Sequence, residues 1–98
     1  MHRRIELWEI DRPRLERYLK LALDRATFEW DEEGRFWFGQ IPGFPGVWAD
    51  APSQEECRKV LVEVLTDWLS HKLRDRDDDI PVMEGIDLLA GPHPTPSV

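Results

Sequence analysis

Residues 27–40 read TFEWDEEGRFWFGQ, and this stretch decides the fold. Aromatic and β-branched residues lie on both sides of a polar segment that ends in Gly34, a pattern typical of a β-hairpin. We expect Gly34 to take the left-handed conformation in the turn. Alternation places Phe36 and Phe38 on one face of the second strand, so Trp37 must point to the opposite face.

The residues after the hairpin predict a loop, a strand and a long helix. Residues 41–46, IPGFPG, contain two Pro and two Gly and cannot continue a central strand. Residues 47–50 are long enough for a third short strand. Ser53 is a good helix N-cap, with Glu56 at the capping-box position, and the helix should reach about Leu73. Its apolar stripe consists of Cys57, Val60, Leu61, Val64, Leu65, Trp68 and Leu69.

The two ends of the chain are less regular. An amphipathic helix is predicted from Pro13 to about Arg25, whereas residues 2–10 fit either a short strand or an irregular lead-in. At least one of 80–83 and 86–89 should form a short edge strand. The predicted division is an N-terminal extension at 1–25, a main domain at 26–90 and a flexible Pro-rich tail at 91–98.

Together these elements predict an α+β fold. A three-stranded antiparallel sheet packs on one long helix, with a short fourth strand and an extra N-terminal helix. With 98 residues, 34% of them charged and a mean hydropathy of -0.54, the chain forms one small domain. No apolar run approaches the roughly 18–20 residues that span a bilayer, which argues against membrane insertion. Glu6, Glu9 and Asp11 interrupt what would have to be the apolar segment of a secretion signal, so we expect a cytoplasmic protein. The single Cys57 excludes an internal disulfide and is expected in the core.

The charge is unevenly distributed along the chain. Residues 1–25 hold seven basic and five acidic side chains, and the rest holds six basic and 15 acidic ones. An acidic body of this kind repels phosphates, so DNA is an unlikely partner and a basic protein is a better one. An alternative interpretation uses the basic residues of the first helix to bind RNA; these are Arg12, Arg14, Arg17 and Lys20.

No residue pattern predicts catalysis, a cofactor or a metal site. Glu29 and Asp31 share one strand face, but a metal-dependent nuclease would need further convergent ligands, and polar outward positions explain them more simply. The three histidines lie far apart in the sequence. Trp8, Trp37 and Trp48 are the more informative residues, because aromatic side chains on a sheet surface are typical of protein interfaces. These three, with Glu29 and Asp31, are the predicted partner-binding residues, whereas Trp30 and Trp68 are predicted in the core.

Residues 26–74 resemble the HicB-type antitoxin domain, the partner of the small HicA toxin. That family has a hairpin with an acidic-Gly turn, a Pro-x-Leu-Pro-Gly-Cys segment, and a Thr or Ser that opens an acidic helix. The corresponding pieces here are DEEG at 31–34, PGFPGV at 42–47 and SQEEC at 53–57. Val47 stands where the family has Cys, and Cys57 stands where it has Ala.

The resemblance implies a partial ribonuclease H-like fold, of βββαβ order, without nuclease activity. It implies a non-enzymatic antitoxin that masks a small basic RNA-cleaving toxin and assembles as a dimer or higher oligomer. Family members commonly carry a DNA-binding domain after this one, and here a Pro-rich stretch follows instead. The alternatives are an RNA-binding module that uses the N-terminal helix and a homo-oligomeric HicB-like domain without a toxin.

Overall fold

The computed structural model describes residues 6–75 and 80–88. These residues form a three-stranded antiparallel sheet in the order β1-β2-β3 together with two α-helices. This confirms the predicted α+β class, the three-stranded sheet and the long helix. Along the chain, a short 3-10 helix at Leu7–Glu9 is followed by α1 (Arg12–Asp24), β1 (Thr27–Asp31), β2 (Phe36–Gln40), β3 (Trp48–Ala51) and α2 (Gln54–Arg74).

The hairpin between β1 and β2 has a four-residue loop, since Asp31 pairs with Phe36. The backbone N–H of Arg35 donates to the carbonyl of Asp31 at 2.8 Å, and this bond closes the loop. The left-handed residue is Arg35, with φ of 57°, so the prediction of Gly34 was wrong. In a loop of this length the last residue turns the chain back into the second strand. Gly34 instead lies against the Phe36 ring, which a Cβ atom would meet at 2.2 Å.

The loop between β2 and β3 consists of two consecutive turns that share Phe44. Phe44 N donates to Ile41 O at 3.2 Å, and Val47 N donates to Phe44 O at 3.1 Å. Each turn has Pro in its second position and Gly in its third, where Gly43 and Gly46 have φ of 90° and 87°. This is the type II turn pattern, which requires a positive φ at the third position. The three corner residues are buried, so the predicted structured loop is confirmed.

Helix α2 covers one face of the sheet. Ser53 is its N-cap, as predicted, and its hydroxyl accepts from Glu56 N at 3.1 Å. One residue in every four is fully buried, namely Cys57, Leu61, Leu65, Leu69 and Leu73. The side residues of the predicted stripe are less covered, and Val60 is exposed.

Helix α1 packs on the same core, in agreement with the predicted helix. Asp11 caps it by accepting from Arg14 N at 3.2 Å. Tyr18 is fully buried, and its ring contacts the Phe44 ring edge-on at 6.3 Å. The Tyr18 hydroxyl donates to the carbonyl of Pro81, so α1 is tied to the segment 80–88.

The predicted fourth strand is absent from the described part of the chain. Met83 and Ile86 pair only with each other, by backbone bonds of 3.1 and 2.8 Å. Glu84 and Gly85 between them both have positive φ, so the segment turns back on itself before it reaches the sheet. It contributes the buried side chains of Met83 and Leu88 to the core instead. Residues 2–5 and the predicted tail at 91–98 lie outside the described residues, and residues 7–9 form a 3-10 turn where a strand was one alternative.

Candidate protein-binding face

The sheet has an inner face toward α2 and an outer face toward solvent. The register places Phe28, Gly39 and Ala49 in one row, and the side chains of that row point inward. Gly39 and Ala49 are buried, and the thiol of Cys57 on α2 donates to the carbonyl of Ala49 at 3.4 Å. The alternate residues form what we call the outer face: Thr27, Glu29, Asp31, Phe36, Phe38, Gln40, Trp48 and Asp50.

An aromatic ridge runs through the middle of the outer face, and it consists of Phe36, Phe38 and Trp48. The rings of Phe38 and Trp48 stack, with their centroids 5.8 Å apart and their planes at 27°. Trp48 is 52% exposed, while the two phenylalanines are half-buried. The ridge is therefore an apolar surface that the described part of the chain leaves open to solvent.

Carboxylates flank the ridge on both sides. Glu29 on β1 and Asp50 on β3 lie directly across from Phe38, and both are exposed. Beside the ridge is an open cavity of about 500 Å³. Its lining consists of Glu29, Trp30, Asp31, Glu32, Glu33, Phe36 and Phe38. No Lys or Arg contributes to that lining among the residues that the structure describes, so the outer face is an acidic surface with an aromatic centre.

The structure brings together three of the five predicted partner-binding residues. Glu29, Asp31 and Trp48 all lie on the outer face. Asp31 also has a structural role, since its Oδ1 accepts from the backbone N–H groups of Glu33 and Gly34, each at 3.0 Å. One of its carboxylate oxygens is therefore already engaged in the hairpin loop.

The other two predicted residues lie elsewhere. Trp37 is on the inner face, where it is partly buried against the core, so it does not join the outer face. Trp8 is 75% exposed, but it lies on the 3-10 helix that packs beside α2, away from the outer face.

The prediction that Trp30 belongs to the core was wrong. Trp30 is 43% exposed, because β1 is an edge strand and α2 packs mainly against β2 and β3. Its ring meets the Trp37 ring edge-on at 5.8 Å, and its Nε1 donates to Glu32 Oε2 at 2.7 Å. Trp68 does pack against the core, where its Nε1 donates to the carbonyl of Pro45 at 3.1 Å.

Sequence reasoning missed Phe36, Phe38 and Asp50 as members of this surface. The signal that identifies them is the size of the residues that face the helix. Ala49 and Ala51 are the small, buried members of β3, and Gly39 is their neighbour on β2. A helix packs closely against small residues, so the residues that alternate with Gly39, Ala49 and Ala51 face outward.

The basic residues of α1 do not form a continuous free surface. Each of the three arginines has an acidic neighbour: Arg12 with Glu16 at 2.9 Å, Arg14 with Asp11 at 3.7 Å, and Arg17 with Glu84 at 3.9 Å. Arg14 is also partly buried, whereas Lys20 is exposed. The charges of this predicted RNA-binding set are therefore largely balanced locally.

The buried thiol of Cys57 is confirmed as a core group. Burial raises the pKa of Cys57, and Asp50 raises it further, although a backbone hydrogen bond from Gly39 acts in the opposite direction. The thiol therefore stays protonated at neutral pH, and a protonated thiol is a poor nucleophile.

Among the described residues, no three His, Cys, Asp or Glu side chains converge on a common metal position. None of the described helices has the length and apolar character needed to cross a membrane.

Comparisons with known proteins give the family. A family model described as UPF0150-like matches residues 17–81, which include most of α1, all three strands and α2. The crystal structure of TTHA0281 from Thermus thermophilus is similar, with 37% identity and a TM-score of 0.66 over 74% of this chain and 89% of that chain. No curated protein matches the chain. The chain belongs to the UPF0150-like family.

Proposed function

We propose that this protein is a non-enzymatic, antitoxin-like protein that binds and masks a small basic RNA-cleaving toxin of the HicA type. The observation that carries the proposal is the outer face, where a partly exposed aromatic ridge lies between the carboxylates of β1 and Asp50 of β3. Aromatic side chains are enriched in protein interfaces, and complementary charge selects the partner. A basic protein is the partner that this face fits best.

The resemblance to HicB-type domains supports this proposal at three places in the fold. Its pieces form the hairpin loop at 31–34, the double turn at 42–47 and the first turn of α2 at 53–57. These pieces define the ends of the strands and the start of the helix. We therefore include in the proposal a partial ribonuclease H-like fold, of which the described sheet and α2 are the βββα part.

The charges of the outer face also argue against two other occupants. Nucleic acid binding depends on Lys and Arg that neutralise phosphates, and the carboxylates here would repel them. A second copy of the chain docked by the same face would bring Glu29 and Asp50 against their own counterparts, and like charges destabilise such a contact. We assign Glu29 and Asp31 to ion pairing with the partner and not to hydrolysis.

Co-expression with the product of the adjacent gene tests the proposal. We expect a small basic protein that copurifies with this chain and that arrests growth when it is expressed alone. The variant Glu29→Lys with Asp50→Lys reverses two charges beside the ridge. It should lose copurification and protection, because like charges brought together in an interface cost about tenfold or more in affinity.

The matched control is Glu63→Lys with Asp67→Lys. Both of these residues are exposed on α2, on the opposite side of the sheet, so the net charge changes by the same amount. This control should keep copurification and protection, and thermal melting should show that both variants fold. The proposal fails if the neighbouring gene encodes no basic partner, or if both variants protect equally well.

A further inference from the structure

We propose that the outer face recognises arginine side chains of its partner, with the guanidinium stacked on the aromatic ridge and hydrogen-bonded to the flanking carboxylates. The inference rests on the proposed function and names the chemistry by which that same face selects its partner. The occupant is a basic protein segment that presents arginine.

The register of the sheet places an aromatic ring between two carboxylates. Phe38 lies in one row with Glu29 on β1 and Asp50 on β3. Side chains directly opposite each other on neighbouring strands have Cβ atoms about 4.5–5.5 Å apart, so both carboxylates reach a group that lies on the Phe38 ring. Trp48 stacks on Phe38 and continues the aromatic ridge onto β3.

The described residues leave this position open to a cation. Neither Glu29 nor Asp50 forms an ion pair with another described residue, and no cation from the described chain lies over Phe38 or Trp48. Trp68 differs from these two rings, because the Nζ atom of Lys72 lies 5.2 Å from the centroid of the Trp68 ring. Among the residues that the structure describes, none therefore supplies a cation to this position of the outer face.

The arrangement favours arginine over lysine. A guanidinium is planar and weakly hydrated, so it can stack on a ring and still direct its N–H groups sideways to carboxylates. A lysine ammonium is a strongly hydrated point charge and gains little from a flat ring that is open to water. Glu29 and Asp50 are the cross-strand neighbours of Phe38, so their carboxylates are within reach of the edge of a guanidinium stacked on that ring.

Two peptides of equal charge test the inference. One is an acetylated octapeptide of alternating Arg and Thr, and the other has Lys in place of Arg. Titration of the full-length protein, followed by NMR at low ionic strength, gives both the affinity and the residues that respond. We expect the arginine peptide to bind about two- to fivefold more tightly, which is the size of one exposed cation–π contact. The shifts should concentrate on the three strands and the Trp48 indole.

Phe38→Leu separates stacking from charge, because it retains an apolar side chain and every carboxylate. This variant should bind the arginine peptide only as tightly as the lysine peptide, and its affinity for the lysine peptide should not change. The double variant Glu29→Gln with Asp50→Asn should have a lower affinity for both peptides. Trp8→Leu is the matched control, since it removes an exposed indole that lies away from the outer face, and it should change neither affinity.

Equal affinities for the two peptides would overturn the inference while leaving the basic partner of the proposed function in place. Shifts that map to α2 around Glu63 and Asp67 would also overturn it, as would the absence of binding by either peptide. The co-expression experiment reports on the proposed function separately, because it does not depend on the choice between arginine and lysine.

Discussion

At the scale of single residues, Arg35 occupies a conformation that suits glycine better. Its φ of 57° follows from its position as the last residue of a four-residue loop. A non-glycine residue in the left-handed region costs the folded state roughly 1–2 kcal/mol. Glycine removes this cost, but its greater chain entropy in the unfolded state offsets about 0.5–1 kcal/mol of the gain. Arg35→Gly should therefore raise the free energy of unfolding by about 0.5–1 kcal/mol.

Urea denaturation measures this effect as a higher midpoint with an unchanged slope. The control is Glu33→Gly in the same loop, where φ is not positive and glycine should lower the midpoint. A lower midpoint for Arg35→Gly would contradict the assignment of the left-handed position to Arg35.

Some properties of single residues could be predicted from the sequence, and others could not. The Pro-Gly pairs of the double turn and the Ser53 cap were predictable, because their chemistry acts between near neighbours in the chain. The exposure of Trp30 depends on which strands α2 covers, and that is decided by residues on the neighbouring strands and on α2, outside the immediate sequence of Trp30. Small inward residues such as Ala49 carry this information, but only once the register is known.

At the scale of elements, the Tyr18 hydroxyl holds α1 against the segment 80–88 through its bond to the Pro81 carbonyl. Burial raises the pKa of Tyr18 well above its ordinary value of 10.0; nearby Asp87 raises it further and Arg25 lowers it in part. Only the protonated phenol can donate to a carbonyl. The folded state thus favours the proton more than the unfolded state does, and this contribution is complete below about pH 10 and is lost as the pH rises above it.

We expect the free energy of unfolding of the wild type to fall above pH 10 by up to about 1.4 kcal/mol per pH unit from this group alone. Tyr18→Phe should be less stable near neutral pH, by about 0.5–1.5 kcal/mol for the lost hydrogen bond. Because it lacks the ionisable group, it should lose less stability at alkaline pH, so the two curves converge. Cys57 also has a raised pKa, but it is present in both proteins and cancels in the difference. Urea denaturation at several pH values measures both curves. If the unfolding free energies of the wild type and of Tyr18→Phe changed in parallel with pH, the hydrogen bond from Tyr18 to the Pro81 carbonyl would be contradicted.

At the same scale, the predicted fourth strand is absent from the residues that the structure describes. An apolar stretch with β-branched residues, here 80–83 and 86–89, fits a strand by composition. Glu84 and Gly85 both have positive φ and turn the chain before a strand can form. Side chains of this segment are buried in the core, although its backbone does not pair with the described sheet. Turn geometry thus overrode the strand propensity of the residues around it.

At the scale of the whole molecule, the outer face holds three of the acidic side chains behind the formal net charge of -7, namely Glu29, Asp31 and Asp50. The arginines of α1 lie near acidic neighbours, while the carboxylates around the aromatic ridge face solvent. A field of one sign over one face accelerates encounter with an oppositely charged partner, and the contacts made after encounter determine how long the complex lasts. Charge and stacking should therefore affect different rate constants.

Association with the copurified basic partner provides the measurement. Raising the ionic strength from low to high salt should slow association by about tenfold or more, with a much smaller change in dissociation. Phe38→Leu should instead speed dissociation and change association little, because it keeps every charge and removes a ring from the centre of the contact. Stopped-flow or surface-binding kinetics give both constants. Association that is insensitive to salt, or a Phe38→Leu variant slowed only in association, would show that the outer face does not select its partner by charge and ring contact.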